Sequence, residues 1–254
     1  MDIFQSIRKN ILMAHGAEFL TTEEVQQVYS KVHELKKFWT PRSKQISDLD
    51  DMEYYSIGAA SYLDARPGDE SYYHELLATT NQVIEREFGW LLEKLLKCIE
   101  REMGKPAVLH SKFAYPGFQI YGTDWFFEDY MGPKHCDHHY KFLDWGDLKF
   151  DPKDNLSYTA AIKLPANGGG VYFWDHYFID DESKTIEEGF EKMFTLELKD
   201  EDRQFHAYHE GGIFFHSGNL MHQIAPMQDI QEGDERITLQ GHAVLSEDLY
   251  HLFW

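Results

Sequence analysis

The residue periodicity changes near Ala107, and that change limits the fold more than any other feature of the chain. Before it, apolar residues recur at helical spacing. Thr21-Thr-Glu-Glu24 is a capping-box pattern, and Val25, Val28, Val32 and Leu35 then fall on one helical face, closed by Pro41. Ser71 to Met103 reads as one long or two abutting helices, with Gly89 as the point of interruption and Gly104 and Pro106 as the stop. The apolar run Tyr54 to Leu63 matches neither template. After Ala107 come short β-branched and aromatic runs broken by Gly, Pro and Asp, the pattern of antiparallel strands. The candidates are 107–114, 118–122, 134–139, 157–164, 170–175, 193–198, 204–208, 212–216, 220–225 and 235–245. About eight such strands in two facing sheets make a jelly roll. The expected fold is mainly β with α: a β core over 107–254 and an N-terminal helical support over 1–106, together one compact unit.

The chain has 254 residues and is 43% hydrophobic, enough for a large core without covalent staples. Its two cysteines, Cys98 and Cys136, are too few for a disulfide framework, and no stretch approaches the roughly 20 apolar residues of a membrane span. The expectation is a cytoplasmic protein with no membrane partner. A formal charge of -20 repels nucleic acid, and no Lys/Arg cluster reverses it, so nucleic acid is excluded as a partner. A dianionic ligand entering such a protein would need a buried cation.

The chemistry concentrates at Lys134 to His139, KHCDHH. On a strand, His135 and Asp137 share a face and Cys136 points away. A second imidazole, His222, follows the apolar run from Gly212, and Arg236-Ile-Thr238 comes after it. Two neutral imidazoles and one carboxylate suit non-haem Fe(II), because three positions stay open for a chelating ligand and dioxygen. Alternatives stay open. His138, His139 and His216 are rival ligands, with His216 read as structural; His206 and His209 read as surface or flanking residues. Lys163 is the rival cation to Arg236, which has Thr238 two residues on and on the same face. Gln119 and Tyr121 share a strand face and point to the same pocket. Gly168-Gly-Gly170 reads as a hairpin turn. Aromatics at Trp125 to Phe127, Tyr130 and Trp174 to Phe178 are candidates for a substrate wall.

In order along the chain, Tyr121, His135-Cys-Asp137, the 157–164 strand, Gly168 to Phe173, Gly211 to His222 and Gly233 to Thr238 resemble the Fe(II)- and 2-oxoglutarate-dependent dioxygenases, in particular the prolyl 4-hydroxylase-like branch. The resemblance spans residues 113–245. It implies a double-stranded β-helix (jelly roll, cupin-like), iron ligands His135, Asp137 and His222, and a cosubstrate site at Arg236 and Thr238, with Tyr121 beside it. Fe(II), 2-oxoglutarate and dioxygen are the implied cofactors. The implied reaction is oxidation of an aliphatic C–H bond, with hydroxylation the expected outcome because halogenating relatives replace the carboxylate by a small residue. The expected substrate is an amino acid, short peptide or small metabolite; the alternatives are a protein substrate of a prolyl hydroxylase, a cupin-like metalloenzyme without 2-oxoglutarate, and a jelly-roll metal-binding protein. The long interval from Asp137 to His222 suggests an insertion, and acidic His176 to Phe190 reads as a flap.

Overall fold

The computed structural model describes residues 3–8, 13–43, 52–66, 68–123, 131–178 and 185–254. Among them the strands form two sheets. The larger runs β1 (Ala14–Glu18), β10 (Gly212–Ser217), β7 (Asn155–Lys163), β12 (Arg236–Ser246), β5 (Gly117–Tyr121), β3 (Tyr54–Ile57) and β2 (Thr40–Pro41). At its far end β13 (Leu249–Phe253) folds back on β12 and pairs in parallel with β4 (Ala107–Leu109). The smaller sheet runs β6 (Met131–His135), β11 (Leu220–Ile224), β8 (Gly170–Tyr177) and β9 (Gln204–Ala207). A cavity lies between the sheets, lined from one by Ser157, Arg236 and His242 and from the other by His135, Val171 and His222. This is the jelly roll expected from the strand pattern.

The longer N-terminal helices cover the outer face of the larger sheet. α1 (Ile3–Arg8) is short; α2 (Thr22–Glu34) begins at the expected capping box, with Thr21 and Glu24 exchanging side-chain-to-backbone hydrogen bonds. After α3 (Ser61–Asp64), α4 (Ser71–Met103) runs as one element through a non-helical Phe88, next to Gly89, and ends on Gly104 in the left-handed conformation. Val28, Val32, Ile84, Leu91 and Leu95 are wholly buried against Phe118, Ile120, Ile162, Ile213 and Ile237. Each such side chain contributes roughly 1.5–3 kcal/mol of burial. Alternation then sorts β12: Ile237, Leu239 and Ala243 join this core, while Arg236, Gln240 and His242 line the cavity. One helix side and one cavity side follow from a single strand.

Several expectations need correction. The N-terminal 106 residues are not helical alone, because β1, β2 and β3 complete the larger sheet; the unplaced run Tyr54 to Leu63 supplies β3 and part of α3. The proposed strand 193–198 does not form: 193–194 end α5 (Ile186–Phe194), which starts at a second capping box, Thr185 with Glu188, and 195–198 follow as turn and irregular chain. The strand expected over 134–139 ends at His135, and His139 opens a 3-10 turn to Phe142. Gly168 to Gly170 is not a hairpin turn: β7 and β8 belong to different sheets, and the glycines carry the chain between them. Gly168 has a φ of 102°, and a Cβ there would lie 2.9 Å from the Met227 Cα, so backbone proximity selects the glycine. Part of the expected flap, 179–184, and the aromatics Trp125 to Phe127 and Tyr130 lie outside the described residues. No helix among the described residues is long and apolar enough to cross a membrane.

Candidate active site

β6 and β11 are antiparallel neighbours, and His135 and His222 sit opposite each other in their register with ring centroids 4.3 Å apart. Asp137 follows β6 by two residues. Its backbone is fixed from both ends: its N–H donates to the Gly218 carbonyl at 2.7 Å, and its carbonyl accepts from Asn155 Nδ2 at 2.6 Å. Gly218 must lack a side chain, since a Cβ would lie 2.1 Å from that same Asn155 amide nitrogen. The carboxylate then faces both imidazoles, Oδ1 lying 3.6 Å from His135 Nε2 and Oδ2 3.6 Å from His222 Nε2.

The outer nitrogens are committed elsewhere. His135 Nδ1 lies 2.8 Å from the Pro133 carbonyl and His222 Nδ1 2.9 Å from the Leu220 carbonyl. Each carbonyl accepts the Nδ1 hydrogen, which leaves an Nε2 lone pair facing Asp137. Burial favours the same state. It is the main reason the His135 imidazole is pushed down to about 4, with His222 adding to it and Asp137 opposing; burial also lowers His222. Burial alone would raise the Asp137 carboxyl, but the imidazoles of His222, His139, His242 and His135 outweigh it and hold the group well below the carboxylate range. The donor atoms of His135, Asp137 and His222 all lie within 4.8 Å of one another. Neutral imidazoles and an ionised carboxylate at this spacing fit a divalent first-row metal.

Arg236 is the second feature. It begins β12 opposite Tyr121 of β5 and is 1% exposed. The Tyr121 and Tyr208 rings lie 5.5 and 5.9 Å from its guanidinium carbon. Nε and Nη1 meet no acceptor among the described residues, although both are buried. A buried cation with two unmet donors, lining the same cavity as the metal donors, is what a carboxylate ligand would complete. The dianionic cosubstrate therefore fits. Lys163 does not compete, since it is exposed and pairs with Glu210 at 3.2 Å.

Tyr121 lines the cavity, donates to Gln119 Oε1 at 2.7 Å and stacks on Tyr54 with centroids 4.5 Å apart. Gln119 in turn donates to the Tyr62 hydroxyl. Thr238 is wholly buried and accepts from Gln240 Nε2 at 3.1 Å, and only Gln240 of the two lines the cavity. Among the rival imidazoles, His138 pairs with Asn219 Oδ1 at 3.0 Å, while His209 is exposed beside Glu18. His139 and His216 do reach the site: their Nε2 atoms lie 3.7 Å from Asp137 Oδ1 and 3.9 Å from Oδ2. Cys136 points away into a cluster with Met193, Met221 and Trp174. His242 was not singled out by sequence reasoning, yet it lines the cavity, lies 2.6 Å from His139 Nδ1 and 3.1 Å from Ser157 Oγ. The signal was available, because strand alternation from Arg236 through Thr238 and Gln240 arrives at His242.

Residues 133–254 match a family model described as the carrier-protein-independent halogenase WelO5. No curated protein matches the chain. Among solved structures, an N-substituted L-amino acid dioxygenase from Burkholderia ambifaria AMMD superposes with a TM-score of 0.61 at 12% identity, covering 99% of this chain and 90% of its own. The non-heme alpha-ketoglutarate-dependent epimerase SnoN from nogalamycin biosynthesis gives 0.55 at 12% identity, covering 95% and 82%. These likenesses establish the shared fold, and the family match covers the segment that carries His135, Asp137, His222 and Arg236. Over residues 133–254, then, the chain is similar to a halogenase family, and its fold is one shared with an amino acid dioxygenase and an alpha-ketoglutarate-dependent epimerase.

Proposed function

We propose that this enzyme hydroxylates an aliphatic C–H bond of a small molecule, with His135, Asp137 and His222 holding Fe(II) and Arg236 holding the distal carboxylate of 2-oxoglutarate. The observation that carries the reading is the pairing of two unmet, buried Arg236 donors with a three-donor metal set in one cavity. When bound, Fe(II) with 2-oxoglutarate and dioxygen supplies the oxidising equivalents: one oxygen atom goes to substrate, the other to succinate, and carbon dioxide leaves. The chain's own residues bind, orient and exclude water. Tyr121 and Tyr208 flank the guanidinium with ring faces, while Thr238, buried behind the cavity wall, accepts from Gln240, which lines it.

Asp137 favours oxygen transfer over halogen transfer, despite the family whose model matches. A halide needs a metal position that a small residue leaves open, and here the Asp137 carboxylate would take that position when the metal is bound. The test begins with anaerobic titration of Fe(II) and then 2-oxoglutarate, which should give a weak visible charge-transfer band. His222→Ala should lose iron and band while staying folded. Folded wild-type protein that binds iron but shows no band defeats the reading. With substrate in hand, labelled dioxygen and excess chloride should give a product heavier by one labelled oxygen; a chlorinated main product refutes the oxygenation.

A further inference from the structure

The cavity in front of the metal donors measures about 430 Å³, within the roughly 300–1,000 Å³ span of small-molecule sites. The cosubstrate would take the part beside Arg236. Away from it, the wall comes from Tyr62 and Leu63 of α3, Phe142 of the 3-10 turn, and Phe190 and Phe194 of α5. Phe142 stacks on Phe190 with centroids 5.6 Å apart, and Phe190 on Phe194 at 6.0 Å. Phe190 and Phe194 are one helical turn apart, while Met193 of the same helix is buried behind Cys136. Phe194 is 54% exposed, a large apolar side chain kept at a cavity rim. An exposed ring at that place costs the free protein favourable burial that a ligand would restore.

What the wall lacks matters as much. Among the described lining residues, the side chains with a formal charge at neutral pH are Arg236 and Asp137. Both charged groups are already committed, Arg236 to the cosubstrate and Asp137 to the metal. A substrate carboxylate or ammonium entering beside them would shed its water and find no counter-ion among the described lining residues. The net charge of -20 adds long-range repulsion against anions.

We infer, resting on the function proposed above, that the substrate is an uncharged, largely apolar small molecule whose ring or hydrocarbon body lies against Phe142, Phe190 and Phe194. This selects the small metabolite from the substrates expected at the outset and sets aside free amino acids and acidic metabolites.

Three probes of one shape decide it: naphthalene-1-methanol, naphthalene-1-carboxylate and protonated naphthalen-1-ylmethylamine. Each is titrated anaerobically into full-length protein loaded with Fe(II) and 2-oxoglutarate, with binding read by naphthyl fluorescence and by saturation-transfer NMR. The alcohol should bind at least tenfold more tightly than either ion, and Phe190→Ser should weaken it about tenfold. Phe194→Lys changes an exposed position, where folding is not at stake. It should weaken the alcohol and strengthen the carboxylate several-fold, with 2-oxoglutarate binding unchanged. An ion that binds as tightly as the alcohol overturns the inference, and so does alcohol binding that neither variant alters or no alcohol binding at all. Failure of the underlying reading is separately visible, because the charge-transfer band would be missing before any naphthalene is added. In that case Arg236 stays available to a substrate anion, and the inference falls with the reading.

Discussion

Among the described residues two arginines are almost wholly shielded from water, Arg42 at 0% and Arg236 at 1% exposure, and the fold treats them in opposite ways. Arg42 is completed internally. Its Nη1 and Nη2 grip the Asp64 carboxylate at 2.5 and 2.9 Å, Nε donates to Ser56 Oγ at 2.8 Å, and Nη2 also reaches the Gly58 carbonyl at 3.2 Å. Arg236 has aromatic faces beside it and two donors with no acceptor. Burying a charge is expensive unless it is paired. One arginine therefore ties β2, β3 and α3 together, while the other keeps two donors unmet among the described residues only because the rest of the fold imposes it, which is the condition for strong ligand capture.

Four outcomes would sharpen or break that contrast. The largest effect should come from Arg42→Leu, which leaves the Asp64 carboxylate buried without its cation and should cost about 3–5 kcal/mol of stability. Urea unfolding measures it, and a cost below that of an ordinary surface change would remove the distinction. Arg236→Leu should do the reverse, sparing or raising stability while weakening 2-oxoglutarate by about 2–5 kcal/mol. Calorimetric titration of the Fe(II) form reads the affinity; an unchanged value would leave the buried donors without a role. Next, 2-oxoglutarate at a hundredfold excess over its Kd should stabilise wild type by about 2.7 kcal/mol. Thermal melts should keep that gain in Arg42→Leu and lose it in Arg236→Leu. Smallest is Lys163→Ala, where an exposed pair with Glu210 is worth about 0–1 kcal/mol and cosubstrate affinity should not move.

The fold was legible wherever one local rule acted alone. Thr21 and Glu24 announced α2, and Gly104 announced the end of α4. The rules failed where two rules overlapped or distant backbone intervened. Phe194 to Leu198 alternates like a strand, but Thr185 and Glu188 start a helix that runs through Phe194 before that alternation can act. Gly168 looked like a hairpin glycine because sequence does not reveal that residues 226–227 pack against it. At the site, His135 and Asp137 came from spacing, although Asp137 is held by Gly218 and Asn155 rather than by a continuing strand. Arg236 was preferred to Lys163 by its neighbour Thr238, and burial supports the same choice for a different reason. The approach of His139 and His216 to Asp137 was not readable, since it depends on how the two sheets close.

β12 lies between β5 and β7 and carries Arg236, yet it pairs with strands made long before it. During synthesis, then, β5 and β7 each wait with a bare hydrogen-bonding edge until the chain has been extended through Ser246. Long-range pairings of this kind form slowly, and an uncovered edge invites a neighbouring chain. A chain ending before Arg236 would carry all three metal donors in its sequence and still leave its central seam open between β5 and β7, a species for chaperones rather than for chemistry.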